Sequence, residues 1–237
     1  MQTENKSPQE IFFAQWNIYQ NVIRNNYMYH AEIIAIVSRE IKQLDRLAIL
    51  DLGCGDSYVI SQSINKTDAE NNQIDYRGVD LSLPALEIGK ENLKLLNGTT
   101  ELINDDLLSE LQSNQQSYDI ILLGYSLHHL TTAEKQECFA RIAELLSEKG
   151  VLVFYDLEML ADENQPSYID RACELFTQHW NNFNAEEINS ICTHVVENDI
   201  PENQQFYTEC FKKAGFSVVN KMFSDKDHLF SVYTAKK

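Results

Sequence analysis

The chain has 237 residues, 43% of them hydrophobic, and a formal net charge of −17. That length and composition fit one α/β domain with a buried core. The acidic charge argues against nucleic acid or an anionic membrane surface as a partner, because both attract clusters of Lys and Arg. Such clusters are limited to the pairs Lys212-Lys213 and Lys236-Lys237.

The five cysteines indicate neither a disulfide framework nor a zinc site, because their number is odd and no C-x-x-C pair occurs. No metal site is predicted. The sequence also contains no apolar signal core and no apolar run of the ~20 residues that a membrane span needs. We therefore expect a cytoplasmic protein, a monomer or homodimer, that binds a small molecule and neither nucleic acid nor membrane.

Two helices are predicted before the first strand. Apolar residues recur at helical spacing over residues 11–23 and again over residues 33–44. Tyr27, Tyr29 and His30 lie at the junction between these helices. They either line a pocket or pack as a hydrophobic staple with exposed polar tips.

A short apolar strand at residues 47–50 leads into Asp51-Leu52-Gly53-Cys54-Gly55-Asp56, and a helix follows at residues 58–64. A strand, a glycine turn and a helix bring backbone N–H groups up to a ligand. A dinucleotide fingerprint needs a third glycine where Tyr58 stands, and the Gly-Lys-Ser/Thr of a P-loop is absent. Asp51 and Asp56 would meet a pyrophosphate unfavourably, so a ligand with a cationic head suits the loop better.

An acidic residue followed by Gly-x-Gly resembles the first motif of the class I S-adenosylmethionine (SAM)-dependent methyltransferases, and the resemblance spans roughly residues 45–157. It implies a Rossmann-like α/β fold: a seven-stranded, mostly parallel sheet with helices on both faces and an antiparallel last strand. It also implies SAM as the cofactor and a small-molecule methyl acceptor, at O, N or C. The alternatives are an inactive SAM-binding sensor or scaffold subunit, and a nucleotide-dependent oxidoreductase, against which the missing glycine argues.

Acidic residues also end the next two predicted strands. Asp80 ends the strand at residues 76–79, where a carboxylate can accept both hydroxyl hydrogen bonds of a ribose diol. Asp105 and Asp106 end the strand at residues 99–104. The resemblance implies that one of them binds the adenine amino group, with Asp105 slightly favoured, although both could instead cap the next helix. The predicted cofactor-binding residues are Asp51, Gly53, Cys54, Gly55, Asp56, Asp80, Leu81, Asp105, Asp106, Leu107, Leu123 and Gly124.

The almost continuous apolar run at residues 118–124 is typical of a central parallel strand. The His128-His129 pair follows it and resembles the fourth motif of small-molecule methyltransferases. The Asn/Asp-Pro-Pro-Tyr/Phe motif of enzymes that methylate base amino groups is absent. We expect one histidine to bond locally and the other to face the methyl-transfer site, where it could act as a general base near neutral pH. The catalytic candidates are His129, His128 and Tyr155, the last on a strand predicted at residues 151–156 after a turn at 147–150.

Helical patterns at residues 167–182 and 185–197 predict an insertion that the resemblance identifies as a substrate lid. Its Trp180 and His194 join Tyr27, Tyr29 and His30 as predicted pocket residues. A helix at residues 203–214 and two antiparallel strands complete the chain. We therefore predict one domain, divided into a helical cap (1–45), a SAM-binding core (46–157), a helical lid (158–205) and a C-terminal helix with strands (206–237).

Overall fold

The computed structural model describes residues 8–42, 46–67 and 73–237. Its centre is a twisted β-sheet. The strands are β1 (Arg46–Leu52), β2 (Gln73–Asp80), β3 (Gly98–Asn104), β4 (Tyr118–Gly124), β5 (Leu146–Met159), β6 (Glu202–Asn203), β7 (Val218–Ser224) and β8 (Phe230–Lys236). The main sheet has the order β3-β2-β1-β4-β5-β8-β7, and β6 pairs with the end of β5. β8 runs antiparallel to both β5 and β7, whereas β1 to β5 are mutually parallel.

Helices cover both faces of this sheet. They are α1 (Pro8–Arg24), α2 (His30–Ile41), α3 (Tyr58–Asn65), α4 (Leu83–Asn92), α5 (Leu107–Ser113), α6 (Thr132–Leu145), α7 (Gln165–His179), α8 (Ala185–Asn198) and α9 (Gln204–Ala214), with a 3₁₀ turn at Leu127–His129. One face packs on α2 and α3, and the other packs on α5, α6 and α9. Successive strand residues alternate between these two cores, so the central strands are apolar on both sides.

A third apolar cluster lies beyond the carboxyl ends of the central strands. It joins Val22 of α1 to buried residues of α7 and α8 and to Leu157 and Phe230 of the sheet. The carboxyl ends of parallel strands share one edge of the sheet, so the segments after β1, β2 and β4 meet beneath this cluster. Ligands of open α/β sheets bind at this edge, which therefore frames the site.

The predicted fold is confirmed, with differences at element ends. The predicted turn at residues 147–150 lies within β5, which begins at Leu146 because that residue already pairs with Tyr118 before a register shift. β6 was not predicted, since two residues carry no periodic pattern. Residues 43–45, where the second predicted helix would end, lie outside the described residues. No helix in the described ranges is long and apolar enough to cross a membrane.

Candidate active site

The glycine loop after β1 is held open by three residues with left-handed backbone conformation. Gly53, Gly55 and Ser57 have φ of 72°, 53° and 56°. A Cβ on Gly53 would lie 2.5 Å from the hydroxyl oxygen of Ser126, so that position has no room for a side chain. A Cβ on Gly55 would meet no described atom within 4 Å. The backbone at Gly55 therefore offers open space in which a ligand can approach closely.

Two buried carboxylates lie beside this loop. Asp51 is 4% exposed and accepts a hydrogen bond from the Tyr76 hydroxyl at 2.9 Å. Burial raises the pKa of Asp51 to about 7, against the effect of the Tyr76 bond, and the Asp80 and Asp56 charges add to the rise. Asp56 is 2% exposed and lies 3.4 Å from the Tyr19 hydroxyl of α1, and burial raises its pKa also.

Asp80 ties the end of β2 to the glycine loop. One of its carboxylate oxygens accepts the Gly55 N–H at 2.8 Å, and the other accepts the Ser82 N–H at 2.7 Å. The next side chain, Leu81, is 72% exposed. An exposed leucine beside a carboxylate offers an apolar surface for a flat ring and an acceptor for hydroxyl groups.

The remaining predicted cofactor residues differ in what their side chains can reach. Asp106 is the N-cap of α5, because its carboxylate accepts the N–H groups of residues 108 and 109. Asp105 is exposed and accepts the N–H of Asp106 at 2.8 Å. The side chains of Leu107 and Leu123 are buried in the core under α5 and α6, so only their backbones are open to a ligand.

A cavity of about 430 Å³ lies next to the glycine loop, under α1, α7 and α8. Most of its wall is apolar and aromatic. The lining residues are Ile18, Tyr19, Val22, Met28, His30, Tyr125, His128, His129, Leu157, Tyr168, Ala172, Phe176, Trp180, Ser190, Ile191, His194, Val195, Asp199 and Phe230. Tyr19 lines this cavity, and its hydroxyl contacts Asp56 in the glycine loop. The cavity and the loop are therefore adjacent.

One polar end of the cavity is built on the 3₁₀ turn after β4. The Nδ1 atom of His128 lies 2.5 Å from the Asp156 carboxylate, which also accepts the His128 N–H at 3.1 Å. Its Nε2 atom lies 3.7 Å from Asp199. Burial alone would lower the pKa of His128, but the two carboxylates raise it above its ordinary value. Burial and the neighbouring His128 lower the pKa of His129 to about 4.

His30 is a buried polar group in the wall of this cavity. It is 3% exposed, and its Nδ1 atom has no hydrogen-bond partner within the described part of the chain. The rings of Tyr19, Tyr58 and Tyr125 surround it, with centroids 5.7 to 6.4 Å away. Burial lowers its pKa to about 4, so the ring is neutral at pH 7. A neutral imidazole can accept a hydrogen bond from a molecule in the cavity.

Comparisons with known proteins agree with this geometry. The family described as "Methyltransferase domain" matches residues 49–150. An uncharacterized methyltransferase of Anoxybacillus flavithermus is 28% identical over 148 residues, which are 59% of this chain and 65% of that protein. The chain thus spans just under two thirds of that relative's length.

Solved structures resemble the fold over most of the chain. The magnesium protoporphyrin IX methyltransferase of Synechocystis, solved with bound S-adenosylhomocysteine (SAH), matches with a TM-score of 0.62 and 12% sequence identity. The match covers 95% of this chain and 94% of that one. An O-methyltransferase family protein of Burkholderia thailandensis matches with a TM-score of 0.60 at 16% identity, covering 86% and 55%. The resemblance to the class I SAM-dependent methyltransferases that the sequence motifs predicted is therefore confirmed.

The glycine loop fits SAM in three respects. Space is open above Gly55, where a Cβ would meet no described atom within 4 Å. Carboxylates of Asp51, Asp56 and Asp80 surround the loop, which suits the positive charges of SAM. Leu81 leaves an apolar side chain exposed beside Asp80. The predicted roles of individual residues toward the cofactor stay predictions.

The cavity brings together five of the predicted substrate and catalytic residues: His30, His128, His129, Trp180 and His194. Tyr27 and Tyr29 lie instead at a smaller pocket of about 110 Å³ on another side of Trp180. Tyr27 stacks on Trp180, with centroids 5.0 Å apart, and so supports the wall without lining it.

Tyr155 does not line the cavity. Its ring packs where a Cβ on Gly124 would be, 2.0 Å away, and burial raises its pKa well above the ordinary value. Two carboxylates that contact or face His128 were not predicted from the sequence. Asp156 ends the predicted fifth strand and could have been found by the rule that identified Asp80. Asp199 directly follows α8, within the lid (158–205), and carries no comparable signal.

Proposed function

We propose that this protein transfers the methyl group of SAM to a small, largely apolar acceptor held in the cavity described above. The proposal rests on the observation that the cavity and the glycine loop are adjacent. Tyr19 lines the cavity, and its hydroxyl lies 3.4 Å from Asp56 in the loop. An acceptor in the cavity would therefore lie beside a cofactor in the loop.

The lining favours an acceptor with an apolar or aromatic body and at least one hydroxyl or amino group. A cavity of about 430 Å³ is of the size that holds small organic ligands. Aromatic rings from α1, α7 and the sheet supply most of its surface, and His30 supplies a neutral nitrogen. That nitrogen would accept the acceptor's O–H or N–H hydrogen bond and so orient the atom to be methylated.

SAM, when bound, supplies a methyl group on a positively charged sulfur. The residues of this chain then align the acceptor and exclude water. We propose that the helical cap (1–45) and the lid (158–205) enclose the acceptor, because α1, α7 and α8 all line the cavity. Of the predicted catalytic residues, we assign contact with the acceptor to His128 and His129, and we assign Tyr155 no role there.

The cofactor half of the proposal is tested by calorimetric titration with SAM and with its product SAH. We expect both to bind, and we expect Gly55→Ala to abolish binding, since the new Cβ would fill the space above the loop. Gly215→Ala is the matched control. Gly215 also has positive φ (91°) with no described atom within 4 Å, but it follows α9, away from the loop. Failure of the unaltered protein to bind either ligand would remove the cofactor assignment.

The acceptor half is tested by screening small aromatic alcohols and amines with methyl-labelled SAM. Ala172→Phe, which places a ring in the cavity wall, should abolish methyl transfer and leave SAH binding intact. Ala140→Phe, at an exposed position of α6, is the control and should behave as the unaltered protein. Unchanged turnover by Ala172→Phe would place the acceptor elsewhere. SAH binding without turnover of any acceptor would support the sensor alternative.

A further inference from the structure

We propose that His128, His129 and Asp199 form a binding site for a divalent transition-metal ion of the zinc type at the polar end of the cavity. One ligand atom from each residue lies within 4.8 Å of the others. The Asp199 Oδ1 atom is 3.7 Å from Nε2 of His128 and 3.5 Å from Nδ1 of His129. Ligands at 2.0–2.1 Å from a tetrahedral zinc are about 3.3 Å apart. The two carboxylate–imidazole distances therefore lie within a few tenths of an ångström of those in a zinc site.

Asp199 supplies an independent sign of a missing cation. Its side chain is 5% exposed, and its Oδ1 atom has no hydrogen-bond partner among the residues that the structure describes. A buried carboxylate oxygen without a partner is costly, because it has lost water and gained nothing in return. A metal ion held between Asp199 and the two imidazoles would satisfy that oxygen.

His128 is oriented as metal-binding histidines commonly are. Asp156, which is 1% exposed, holds the Nδ1 atom of His128 at 2.5 Å and also accepts its backbone N–H. This fixes the ring and leaves Nε2 directed toward Asp199. A carboxylate that holds the other nitrogen of a ligating imidazole is the usual outer shell of such sites. The Nδ1 atom of His129 makes a long contact of 3.4 Å with the Asn198 carbonyl, which metal binding would replace.

The ligand set indicates which ions the site would take. Two imidazole nitrogens and one carboxylate suit Zn²⁺, Co²⁺ or Fe²⁺, whereas Mg²⁺ and Ca²⁺ prefer oxygen ligands. All three residues line the cavity, so a fourth coordination position would face its interior. If the proposed function holds, that position would receive the acceptor's oxygen or nitrogen. The metal site itself does not depend on that function.

The competing explanation is that His128 carries a proton between Asp156 and Asp199, with no metal involved. It predicts that added metal ions do not bind at this end of the cavity. The experiment uses the untagged full chain after treatment with a chelator, in the absence of SAM and of any acceptor. We expect calorimetry to show one equivalent of Zn²⁺ bound, Co²⁺ to give the visible absorption of a site with nitrogen ligands, and Mg²⁺ not to compete.

Variants locate the ion. Asp199→Asn and His129→Gln should weaken Zn²⁺ binding more than Asp156→Asn, for which loss of an orienting partner predicts about 10- to 100-fold. Asp162→Asn and His179→Gln alter exposed residues of the same types elsewhere and should leave binding unchanged. Absence of Zn²⁺ binding by the unaltered chain, or equal affinity in Asp199→Asn, would overturn the proposal. If a variant fails to fold, the Co²⁺ spectrum of the unaltered chain still decides whether nitrogen ligands are present.

Discussion

At the scale of single residues, burial determines the chemistry of the glycine loop. Asp51 has the same side chain as the exposed Asp105, yet it is enclosed by the sheet and bonded to Tyr76. The free energy of its charged form is therefore raised, and its pKa rises to about 7. A carboxylate with that pKa is only partly ionised at neutral pH, so a cationic ligand must compete with a proton.

We therefore predict that the affinity for SAH rises with pH up to about 7 and then levels off, until the ligand's own amino group begins to lose its proton. Below that pH, Asp51 in the free protein is protonated and must lose its proton before it can attract the amino group of the ligand. For one proton the gain is at most about tenfold per pH unit. Calorimetry over a pH series measures it.

Two variants isolate the residue responsible for this pH dependence. Asp51→Asn should bind SAH more weakly with a flatter pH profile, whereas Asp56→Asn should keep a rise that ends slightly below pH 7, because the Asp56 charge no longer adds to the pKa of Asp51. Asp56 is the appropriate comparison because burial raises its pKa as well. A profile that is equally steep in Asp51→Asn would show that another group is titrating.

At the scale of elements, the sequence predicts the sheet better than the cavity. The central strands are apolar runs bounded by turns, so β4 was predicted with its observed ends, Tyr118 and Gly124. Asp80 was predicted as a site residue because strand ends follow from the same pattern, and the structure places it against the glycine loop. The cavity wall is formed by residues far apart in the chain, such as Tyr19 and Asp199, and no local pattern pairs them. Tyr27 and Tyr29 were predicted at the cavity because their helix junction was right, but the direction of each side chain depends on packing.

The junction between α1 and α2 is joined to the elements around it by specific bonds. The Tyr125 hydroxyl, after β4, donates to the Met28 carbonyl at 2.5 Å. Tyr27 stacks on Trp180 at the end of α7, and its hydroxyl accepts the Asn182 N–H at 3.0 Å. These contacts hold the N-terminal helices over the edge of the sheet, which gives the cavity its roof.

We predict a graded loss of stability at Tyr27. Tyr27→Phe keeps the stacked ring and loses the hydrogen bond, at a cost of about 0.5–1.5 kcal/mol. Tyr27→Ala loses the stack as well, and the cost should reach about 2–3 kcal/mol. Urea unfolding monitored by circular dichroism measures both. Both variants should bind SAH with little change, because Tyr27 lies outside the cavity and the loop. Equal stability of the two variants would mean that the stack contributes nothing.

At the scale of the whole molecule, three apolar clusters stabilise different parts of the structure. Two lie on the faces of the sheet and hold the loop in place. The third joins α1 from the start of the chain to α7 and α8 from its second half. The cavity therefore exists only when distant parts of the chain have come together, and stability of the whole fold controls it. The net charge of the chain affects that stability, because the sequence has 36 acidic residues and only 19 basic ones.

We predict that salt stabilises this protein at neutral to alkaline pH. Even if every Lys and Arg paired with a carboxylate, 17 negative charges would stay uncompensated, and their mutual repulsion is relieved on unfolding. Raising NaCl from ~0.02 to ~0.5 M screens charges beyond a few ångströms. It should raise the melting temperature by several degrees, since ~1 kcal/mol corresponds to about 2–4 °C at this size.

The control is the same series at a pH nearer the pI of 4.6, where the net charge is small and the effect of salt on the melting temperature should shrink. Partly buried ion pairs such as Arg77 with Glu110 act in the opposite direction, because salt weakens attraction too. A melting temperature that falls with NaCl at pH ~8 would mean that such pairs outweigh the net repulsion.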